Sequence, residues 1–477
     1  MPQTLTTRQR WLALYVLCFG VLMIVLDTTV VTVALPSIQR SLGFSDTALV
    51  WVLNAYMLTY GGFLLLGGRL GDLYGNRRWF LIGLLAFVGA SLACGIATSQ
   101  WLLVVARAVQ GIGGAIVTAV ALALIMNLFT EPSERAKAMG VYGFICAAGG
   151  SLGEILGGVL TQWLNWHWIF LVNLPIGIAV YIFCLSLLPR DALPEQRQRL
   201  DATGAVLVTA GLMLAVYAVI GGNAAGWGSP QTLLTLAAGV ALLAAFFFAE
   251  KRVRDPLMPL HLLKRRNLAT ANIVGILWSA GMFAWFVITA LYLQRVVGYT
   301  PLQVGLSFIP ADMLMAAFSL GLSAKLVIRF GFRTPLWIGL AIAGGGLLLI
   351  SQAPLDGRYL PHILPGMLML GIGGGMAFNP LLLAAMSDVD ESQAGLASGI
   401  TNTAFMMGGA LGLAVLASLA DAWTAAALAE GADERGALNA GYQLAFRIGA
   451  AMTLLGAAIS AVFVRAKAPP AAMLGAQ

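Results

Sequence analysis

The sequence predicts an all-α membrane protein in which two pseudo-symmetric six-helix bundles flank two inserted helices. Three observations carry this prediction. Of the 477 residues, 60% are hydrophobic and only 10% are charged, whereas a soluble domain carries roughly 25% charged residues. Apolar runs recur along the chain, each about 20 residues long, which is enough for a helix to cross roughly 30 Å of hydrocarbon. Short motifs also recur in the same order in the two halves of the chain.

Fourteen transmembrane helices are predicted, and they are called spans 1 to 14. In chain order they cover 11–35, 48–68, 79–97, 100–127, 138–161, 167–188, 202–222, 231–249, 268–293, 301–324, 334–352, 361–386, 395–418 and 441–464. The first run follows Arg8 and Arg10, as in a signal peptide. It is retained as span 1 because it is too long and lacks a small-residue cleavage site.

Lys and Arg are distributed unevenly between the two ends of the spans. If the N-terminus is cytoplasmic, the cytoplasmic segments hold 21 of the 27 Lys and Arg residues and the outer segments hold four. Cytoplasmic loops of membrane proteins carry this excess. We therefore expect a multi-pass protein of the cell inner membrane with both termini in the cytoplasm. The formal net charge of +7 then reflects topology and not nucleic-acid binding.

An internal repeat divides the spans into two homologous sets. Three pairs of motifs match at offsets of 256 to 260 residues: GRLGDLYGNRR at Gly68 with AKLVIRFGFR at Ala324, GIGG at Gly111 with GIGG at Gly371, and GGSLG at Gly149 with GGALG at Gly408. We expect a six-helix bundle over 1–190, two inserted helices with cytoplasmic linkers over 191–267, and a second six-helix bundle over 268–477. Transporters built from repeats commonly bind substrate near the midplane between them.

The repeat fails at charged positions. Its unmatched pairs are Asp72 with Ile328, Arg107 with Met367, and Glu154 with Leu413. The charged member lies in the first half each time. Ion coupling is therefore expected mainly in spans 1 to 6, and more of the substrate surface in the second half.

Three acidic side chains lie within otherwise apolar spans: Asp27 in span 1, Glu154 in span 5 and Asp312 in span 10. A charge at the centre of a membrane helix costs roughly 2.5 to 3.5 kcal/mol on insertion scales, so each acid is a candidate proton or cation site. Arg107 in span 4 is expected to tune a nearby carboxylate, because an opposite charge within about 4 to 6 Å stabilises the ionised acid.

Structural roles are the alternatives for these residues. Asp27 could bend its helix through a bond to an adjacent threonine or a neighbouring helix, and Arg107 could form a purely structural ion pair. Glu154 could be a packing variant. Asp312, close to Pro310, could occupy a solvated vestibule. The glycines four residues apart in span 5, Gly149, Gly153 and Gly157, are expected to let that helix approach a neighbour closely, with direct contact to substrate as the alternative.

Two further groups of residues are predicted to act in transport. Asp72 lies among arginines at the inner membrane face, where a carboxylate can pair with Arg or cap a helix and be released as the halves rock. The predicted latch comprises Asp72, Arg69, Gly75, Arg77 and Arg78, and an ordinary exposed ion pair is its alternative. The predicted wall of the substrate cavity comprises Trp51, Asn54, Tyr56, Trp278, Trp285, Phe286, Asn402, Phe405 and Met406. Core or lipid-facing packing is the alternative for the wall.

Four motifs resemble those of the major facilitator superfamily, and within it the fourteen-helix drug:proton antiporter family. They are GRLGDLYGNRR between spans 2 and 3, LDTTVVTVALPSI at Leu26, RAVQGIGGA at Arg107, and YLQRVVGYTPLQVGLSFIP at Tyr292. The resemblance covers essentially the whole chain and implies the major facilitator fold. Span 5 departs from the family pattern, because GGSLGEILGG carries Glu154 where relatives usually have an uncharged residue, often proline. Asp312 is a lesser departure.

The expected function is proton-driven efflux of amphipathic, cationic drugs across the inner membrane by alternating access. Drug and proton would compete for the same carboxylates, and aromatic faces suit a lipophilic cation. We expect no enzyme activity, no metal site and no cofactor beyond the proton gradient; no GxxxxGK[ST] loop for ATP is present. The expected partners are small molecules, protons and the lipid bilayer, with the chain monomeric and a periplasmic adaptor left open. The alternatives are an exporter of an endogenous metabolite or antibiotic, and a non-transporting membrane receptor or scaffold.

Overall fold

The computed structural model describes residues 6–129, 131–188, 201–253, 256, 260–389 and 394–465. The described part of the chain is helical and contains no strand. Its α-helices are α1 Thr7–Leu42, α2 Asp46–Leu49, α3 Trp51–Tyr74, α4 Asn76–Gly95, α5 Gln100–Leu128, α6 Pro132–Trp163, α7 Trp168–Leu171, α8 Asn173–Leu187, α9 Ala202–Ala225, α10 Pro230–Glu250, α11 Arg266–Arg295, α12 Pro301–Ala317, α13 Ser323–Phe330, α14 Arg333–Ile350, α15 Leu364–Met386, α16 Ala394–Ala429 and α17 Glu434–Phe463.

Every predicted span coincides with helical structure. Among the described residues, twelve helices are long and apolar enough to cross a membrane. The other two predicted spans coincide with α6 and with the interrupted helix from α12 to α13. The prediction of an all-helical membrane protein is therefore confirmed, and the count of fourteen spans stays a prediction.

Several helices continue beyond the apolar run that predicted them. The first runs from Thr7 to Leu42, whereas the predicted span covered 11–35. Its N-terminus is closed by a capping box, in which the Thr6 hydroxyl accepts from the backbone N–H of Gln9, and its C-terminus by Gly43 at φ 70°. These caps satisfy backbone groups outside the apolar core, so the helix extends past the stretch that hydropathy detects.

Span 10 is not a regular α-helix. A π-helical turn, Phe318–Leu322, separates α12 from α13. The carbonyl of Ser319 in this turn accepts a hydrogen bond from Asn379 Nδ2 of α15 at 3.0 Å. This hydrogen bond from a side chain satisfies a carbonyl in the widened turn. Hydropathy does not predict such an irregularity.

The chain divides into two compact units. Unit 1 comprises Met1–Ser45, Trp51–Met213 and Val240–Leu257, and unit 2 comprises Asp46–Val50, Leu214–Gly239 and Met258–Gln477. The predicted boundary at 190/191 lies outside the described residues, and the predicted division into 1–190, 191–267 and 268–477 stays a prediction.

Equivalent glycines pack equivalently in the two units. A Cβ added to Gly113 of α5 would meet the backbone N of Phe87 at 2.6 Å, and one added to Gly373 of α15 would meet the backbone N of Ala343 at 2.6 Å. Phe87 and Ala343 are themselves separated by the repeat offset of 256 residues. Both helix pairs therefore approach backbone to backbone at corresponding places.

The glycines of α6 pack against α1. Cβ atoms on Gly149, Gly153 and Gly157 would collide with Val25, Thr29 and Val30 of α1, respectively. The expectation that these glycines allow close helix packing is confirmed.

Candidate functional site

Asp27 lies at the centre of a buried polar network in unit 1. The residue is fully buried in α1, and its Oδ2 accepts a hydrogen bond from Arg107 Nη1 of α5 at 2.5 Å. Arg107 is also fully buried, so the two side chains form an ion pair shielded from solvent. The adjacent threonines do not hold this carboxylate, since the hydroxyls of Thr28 and Thr29 donate to backbone carbonyls of α1.

Two neutral amides complete the environment of the carboxylate. Gln110 Nε2 and Asn173 Nδ2 donate to Asp27 Oδ1 at 2.8 and 3.0 Å. Gln110 also donates to Ser91 Oγ at 2.8 Å, and its Oε1 accepts from Arg107 Nη1 at 2.7 Å. All these groups are buried. Because every one of the three partners donates to Asp27, the arrangement matches an ionised carboxylate, which can only accept.

Arg107 is held by further contacts on its other sides. Its Nε donates to the backbone carbonyl of Val52 at 2.9 Å. Its guanidinium carbon lies 4.3 Å from the ring centre of Tyr56 and 5.6 Å from that of Phe170. Nη2 has no hydrogen-bond acceptor within the described part of the chain. The cation is therefore balanced by one carboxylate and by two aromatic faces, which attract cations through their quadrupoles.

Local structure explains how these residues meet. Arg107 and Gln110 are three residues apart on α5 and so share one helix face. Asn173 is the first residue of α8, where a break after the short helix α7 turns its side chain into the bundle. Pro175 follows within the first turn of α8, where a missing backbone N–H costs nothing.

Glu154 and Asp312 lie elsewhere. Glu154 is buried in α6, with an exposed fraction of 1%, and it is not among the hydrogen-bond partners described for Asp27. Gly150, one turn earlier on α6, has open space around the position of a Cβ atom. Asp312 is buried in α12 and belongs to unit 2. Of the four predicted coupling residues, the structure thus brings Asp27 and Arg107 into direct contact.

The predicted latch residues surround the junction of α3 and α4. Gly75 adopts φ 104°, a conformation that L side chains rarely take, and it connects the two helices. Arg77 Nη2 donates to the carbonyl of Leu185, near the C-terminus of α8, at 2.6 Å. Asp72 is exposed at the end of α3, with the charge of Arg69 nearby. Arg78 is exposed on α4. The latch role stays a prediction.

The aromatic residues predicted for the cavity wall form two clusters in unit 2. Trp278 packs edge-on against Phe405 at 5.3 Å between ring centres, and Phe378 contacts both rings. Trp285 packs against Phe286 at 4.3 Å, and both contact Phe308. A small cavity beside them is lined by Trp278, Trp285, Met282, Met315 and Gly374 among others.

The remaining predicted wall residues have varied environments. Tyr56 packs on Arg107 and is buried, so its ring belongs to the ion-pair network in this structure. Asn54 is fully buried, and neither atom of its amide has a hydrogen-bond partner among the described residues. Asn402 donates to the backbone of its own helix at Ser398. Trp51 and Met406 are partly exposed. The cavity wall as a whole stays a prediction.

Sequence reasoning missed Gln110, Asn173, Ser91 and Phe170. Gln110 lies within the motif RAVQGIGGA, three residues after Arg107. This spacing alone predicts that the two side chains share a helix face. Asn173 is a lone amide in an apolar run, which on a membrane helix indicates a polar partner. Ser91 and Phe170 carry no such signal, because serine and phenylalanine are ordinary residues of apolar helices.

Comparisons with known proteins agree with the fold. The family model described as "Major Facilitator Superfamily" matches residues 17–413. A solved structure described as an auto-inhibited POT family peptide transporter superposes with a TM-score of 0.68, covering 97% of this chain and 99% of that chain at 14% sequence identity. At that identity the likeness concerns the fold alone.

Three curated relatives cover most of the chain. The puromycin resistance protein of Streptomyces alboniger is 41% identical over 88% of this chain and 84% of its own length. The cephamycin export protein of Amycolatopsis lactamdurans is 39% identical over 89% and 88%. The multidrug resistance protein Stp of Mycobacterium tuberculosis is 36% identical over 88% and 78%.

Proposed function

The chain belongs to the Major Facilitator Superfamily, and we propose that it exports amphipathic, cationic drugs across the inner membrane in exchange for protons. Membership makes it a multi-pass membrane transporter and not an enzyme. The observation that carries the proton-driven mechanism is the buried ion pair of Asp27 and Arg107. Breaking one partner of a buried ion pair costs roughly 3 to 5 kcal/mol, so the charge state of this site is strongly coupled to its conformation.

Protonation of Asp27 supplies the driving step. A neutral carboxyl group no longer balances the guanidinium of Arg107, which is left as a buried cation over Tyr56. An uncompensated charge in a low-dielectric interior is costly, so the helices that carry the pair shift to an arrangement in which the guanidinium finds water or another acceptor. The network around Asp27 thus converts proton binding into a conformational preference.

Neither Asp27 nor the aromatic clusters of unit 2 are open to substrate in this conformation. Asp27 and Arg107 are both fully buried and in contact with each other, so a drug cation has no access to the carboxylate here. Trp278 and Trp285 in unit 2 are buried as well, and once their clusters open they offer flat, polarisable faces that suit a lipophilic cation. Coupling then acts through alternating access: opening of the network exposes the carboxylate to protons, while the cation binds at the aromatic clusters.

The names of the relatives support export of drugs. One relative is described as a multidrug resistance protein and another as a puromycin resistance protein. The aromatic clusters and the acids within the spans support a substrate that is both amphipathic and cationic.

A second candidate function is the export of an antibiotic or metabolite that the cell itself makes. One relative is described as a cephamycin export protein. Such an exporter needs the same buried acid but not broad specificity. A substrate panel separates the two functions, because a dedicated exporter transports one compound and ignores unrelated lipophilic cations.

The test is uptake into proteoliposomes with an imposed pH gradient. We expect the parent protein to accumulate tetraphenylphosphonium against its gradient and Asp27→Asn to lose this uphill transport, because an amide cannot be protonated and deprotonated in the working pH range. Asp356→Asn is the matched control, since Asp356 is exposed outside the network and carries the same change of charge. Uphill transport at the parental rate in Asp27→Asn vesicles contradicts the proposal.

A further inference from the structure

Unit 2 contains a cavity at the ends of α11, α16 and α17 that the proposed mechanism does not use. It is a recess partly open to solvent, and its empty space of about 430 Å³ includes that open part. The short helix α2 closes one side with Asp46. With the N-terminus in the cytoplasm, as the distribution of Lys and Arg predicts, this end of the helices faces the outside.

The charged groups of the cavity do not balance. Arg295 Nη1 bonds Asp46 Oδ1 at 2.7 Å and lies 3.5 Å from the hydroxyl of Tyr442. This ion pair accounts for one carboxylate and the guanidinium. The second carboxylate, Asp421 of α16, is bonded to the neutral amide of Asn223. Among the described lining residues, Arg295 is the one Lys or Arg, so the ionised cavity carries a net negative charge.

The rest of the lining is apolar. Ile288 and Leu291 of α11 and Leu413 and Ala417 of α16 form the walls below the charged groups. Leu413 is the repeat counterpart of Glu154, so an apolar wall stands here where unit 1 has an acid. An apolar wall with one uncompensated carboxylate at its rim matches a ligand that has an apolar body and a positive charge.

We propose that this cavity binds amphipathic organic cations at the outer ends of α11, α16 and α17, with Asp421 contacting the positive charge. We call it the exit site, because a substrate occupies it before it is released to the outside. This inference rests on the proposed substrate class, but it does not depend on proton coupling at Asp27.

The experiment measures equilibrium binding of radiolabelled tetraphenylphosphonium to the full-length protein in nanodiscs. The parent is expected to bind the cation at two sites, the aromatic clusters and this cavity. Asp421→Asn is expected to weaken binding at the second site about tenfold, because it removes the charge and keeps the shape of the side chain. The control is Asp433→Asn, since Asp433 is an exposed aspartate near the start of α17 that does not line the cavity. Neutral triphenylphosphine oxide is expected to bind equally well to the parent and to Asp421→Asn.

A second variant keeps the test decisive if Asp421→Asn does not fold. Ala417→Phe fills the cavity and leaves both carboxylates in place, and it is expected to weaken binding of the cation and of the neutral analogue alike. Equal cation affinity in Asp421→Asn and Asp433→Asn overturns the proposal, as does unchanged binding to Ala417→Phe.

Failure here is separable from failure of the proposed function. If the parent protein exports tetraphenylphosphonium on a pH gradient but its binding does not depend on Asp421 or Ala417, the exit site alone is overturned. Binding that depends on both residues, in a protein that shows no proton-driven export, supports the exit site and contradicts the proposed function.

Discussion

Asp27 and Arg107 form a buried charge pair in which each side chain depends on the other. The carboxylate accepts from Arg107, Gln110 and Asn173, and the guanidinium donates to Asp27, Gln110 and Val52. Removing one charge leaves the other buried and uncompensated, whereas replacing both removes the desolvation cost as well. This asymmetry gives a direct test of how tightly the pair is coupled.

We predict that Arg107→Met lowers the free energy of unfolding by about 3 to 5 kcal/mol, and that Asp27→Asn combined with Arg107→Met restores most of the loss. The methionine fills the volume of the arginine stem but leaves Asp27 as an unbalanced anion, and the amide removes that anion. Thermal unfolding in detergent measures both effects. Arg447→Met is the control, because Arg447 is an exposed arginine of α17. Equal destabilisation in the single and double variants contradicts the coupling.

The sequence predicted the acid and the base of this network but not their partners. A charge within an apolar span costs free energy, so Asp27 and Arg107 are conspicuous in the sequence, and their opposite charges favour their pairing. Asn173 joins the network because α8 packs beside α1, and Ser91 joins it because α4 packs against α5 and α8. Such contacts depend on tertiary structure, which hydropathy and spacing do not encode.

Glu154 shows the limit of a local pattern. It lies one turn after Gly150 on α6, and the structure places it in the interior with open space beside Gly150. The glycines that contact α1 are those at 149, 153 and 157, on the adjacent face of α6. A role for Glu154 as a second proton or cation site therefore stays a prediction.

At the scale of helices, close approach is set by glycine. Lipid tails are as apolar as leucine, so packing between membrane helices relies on small residues that let backbones meet. Gly113 lies against the backbone of α4, and Gly373 lies against the backbone of α14. A methyl group at either position requires the two backbones to separate.

We predict that Gly113→Ala and Gly373→Ala each lower the thermal unfolding midpoint by several degrees. The added Cβ atom would lie 2.6 Å from a backbone nitrogen in both cases, and backbone cannot move aside as a flexible side chain does. Gly89→Ala is the control, because Gly89 lies on α4 with open space around it; its midpoint is expected to stay level or rise, since alanine favours helix over glycine. Midpoints that fall equally in all three variants contradict the packing argument.

Hydropathy and repeats predicted which segments are helical, and less well how each helix ends or bends. Length and apolarity determine which segments can enter the bilayer, so all predicted spans coincide with helices. Capping by Thr6 and Gly43 and the π turn at Phe318–Leu322 arise from individual hydrogen bonds. A hydropathy window averages over such bonds, and the extensions and the break therefore appeared only in the structure.

Across the whole molecule, the repeat assigns different chemistry to equivalent positions. The glycines of α6 at 149 and 153 face Val25 and Thr29, and those of α16 at 408 and 412 face Ile276 and Ala280. The contacted residues of α11 therefore follow those of α1 by 251 residues, since Ile276 corresponds to Val25 and Ala280 to Thr29. At this offset Trp278 is the counterpart of Asp27. Unit 1 thus carries an acid where unit 2 carries an indole.

The difference between an acid in unit 1 and an indole in unit 2 predicts that proton coupling resides in unit 1 and cation recognition in unit 2. Asp27→Asn is expected to keep tetraphenylphosphonium binding within about threefold of the parent and to abolish the proton release that accompanies it. Trp278→Leu is expected to weaken binding about fivefold, because a cation–π contact contributes about 1 kcal/mol, while each bound cation still releases protons. Isothermal titration of the full-length protein measures affinity, and a pH-sensitive dye in weak buffer measures proton release.

Trp423→Ala serves as the control for the aromatic change, because Trp423 is exposed on α16 and should affect neither quantity. The separation requires opposite phenotypes, since a general loss of fold lowers both readings together. If Trp278→Leu abolishes proton release at saturating cation, or if Asp27→Asn loses affinity as Trp278→Leu does, then binding and coupling share one site. The repeat would in that case have preserved architecture without dividing the chemistry between its two copies.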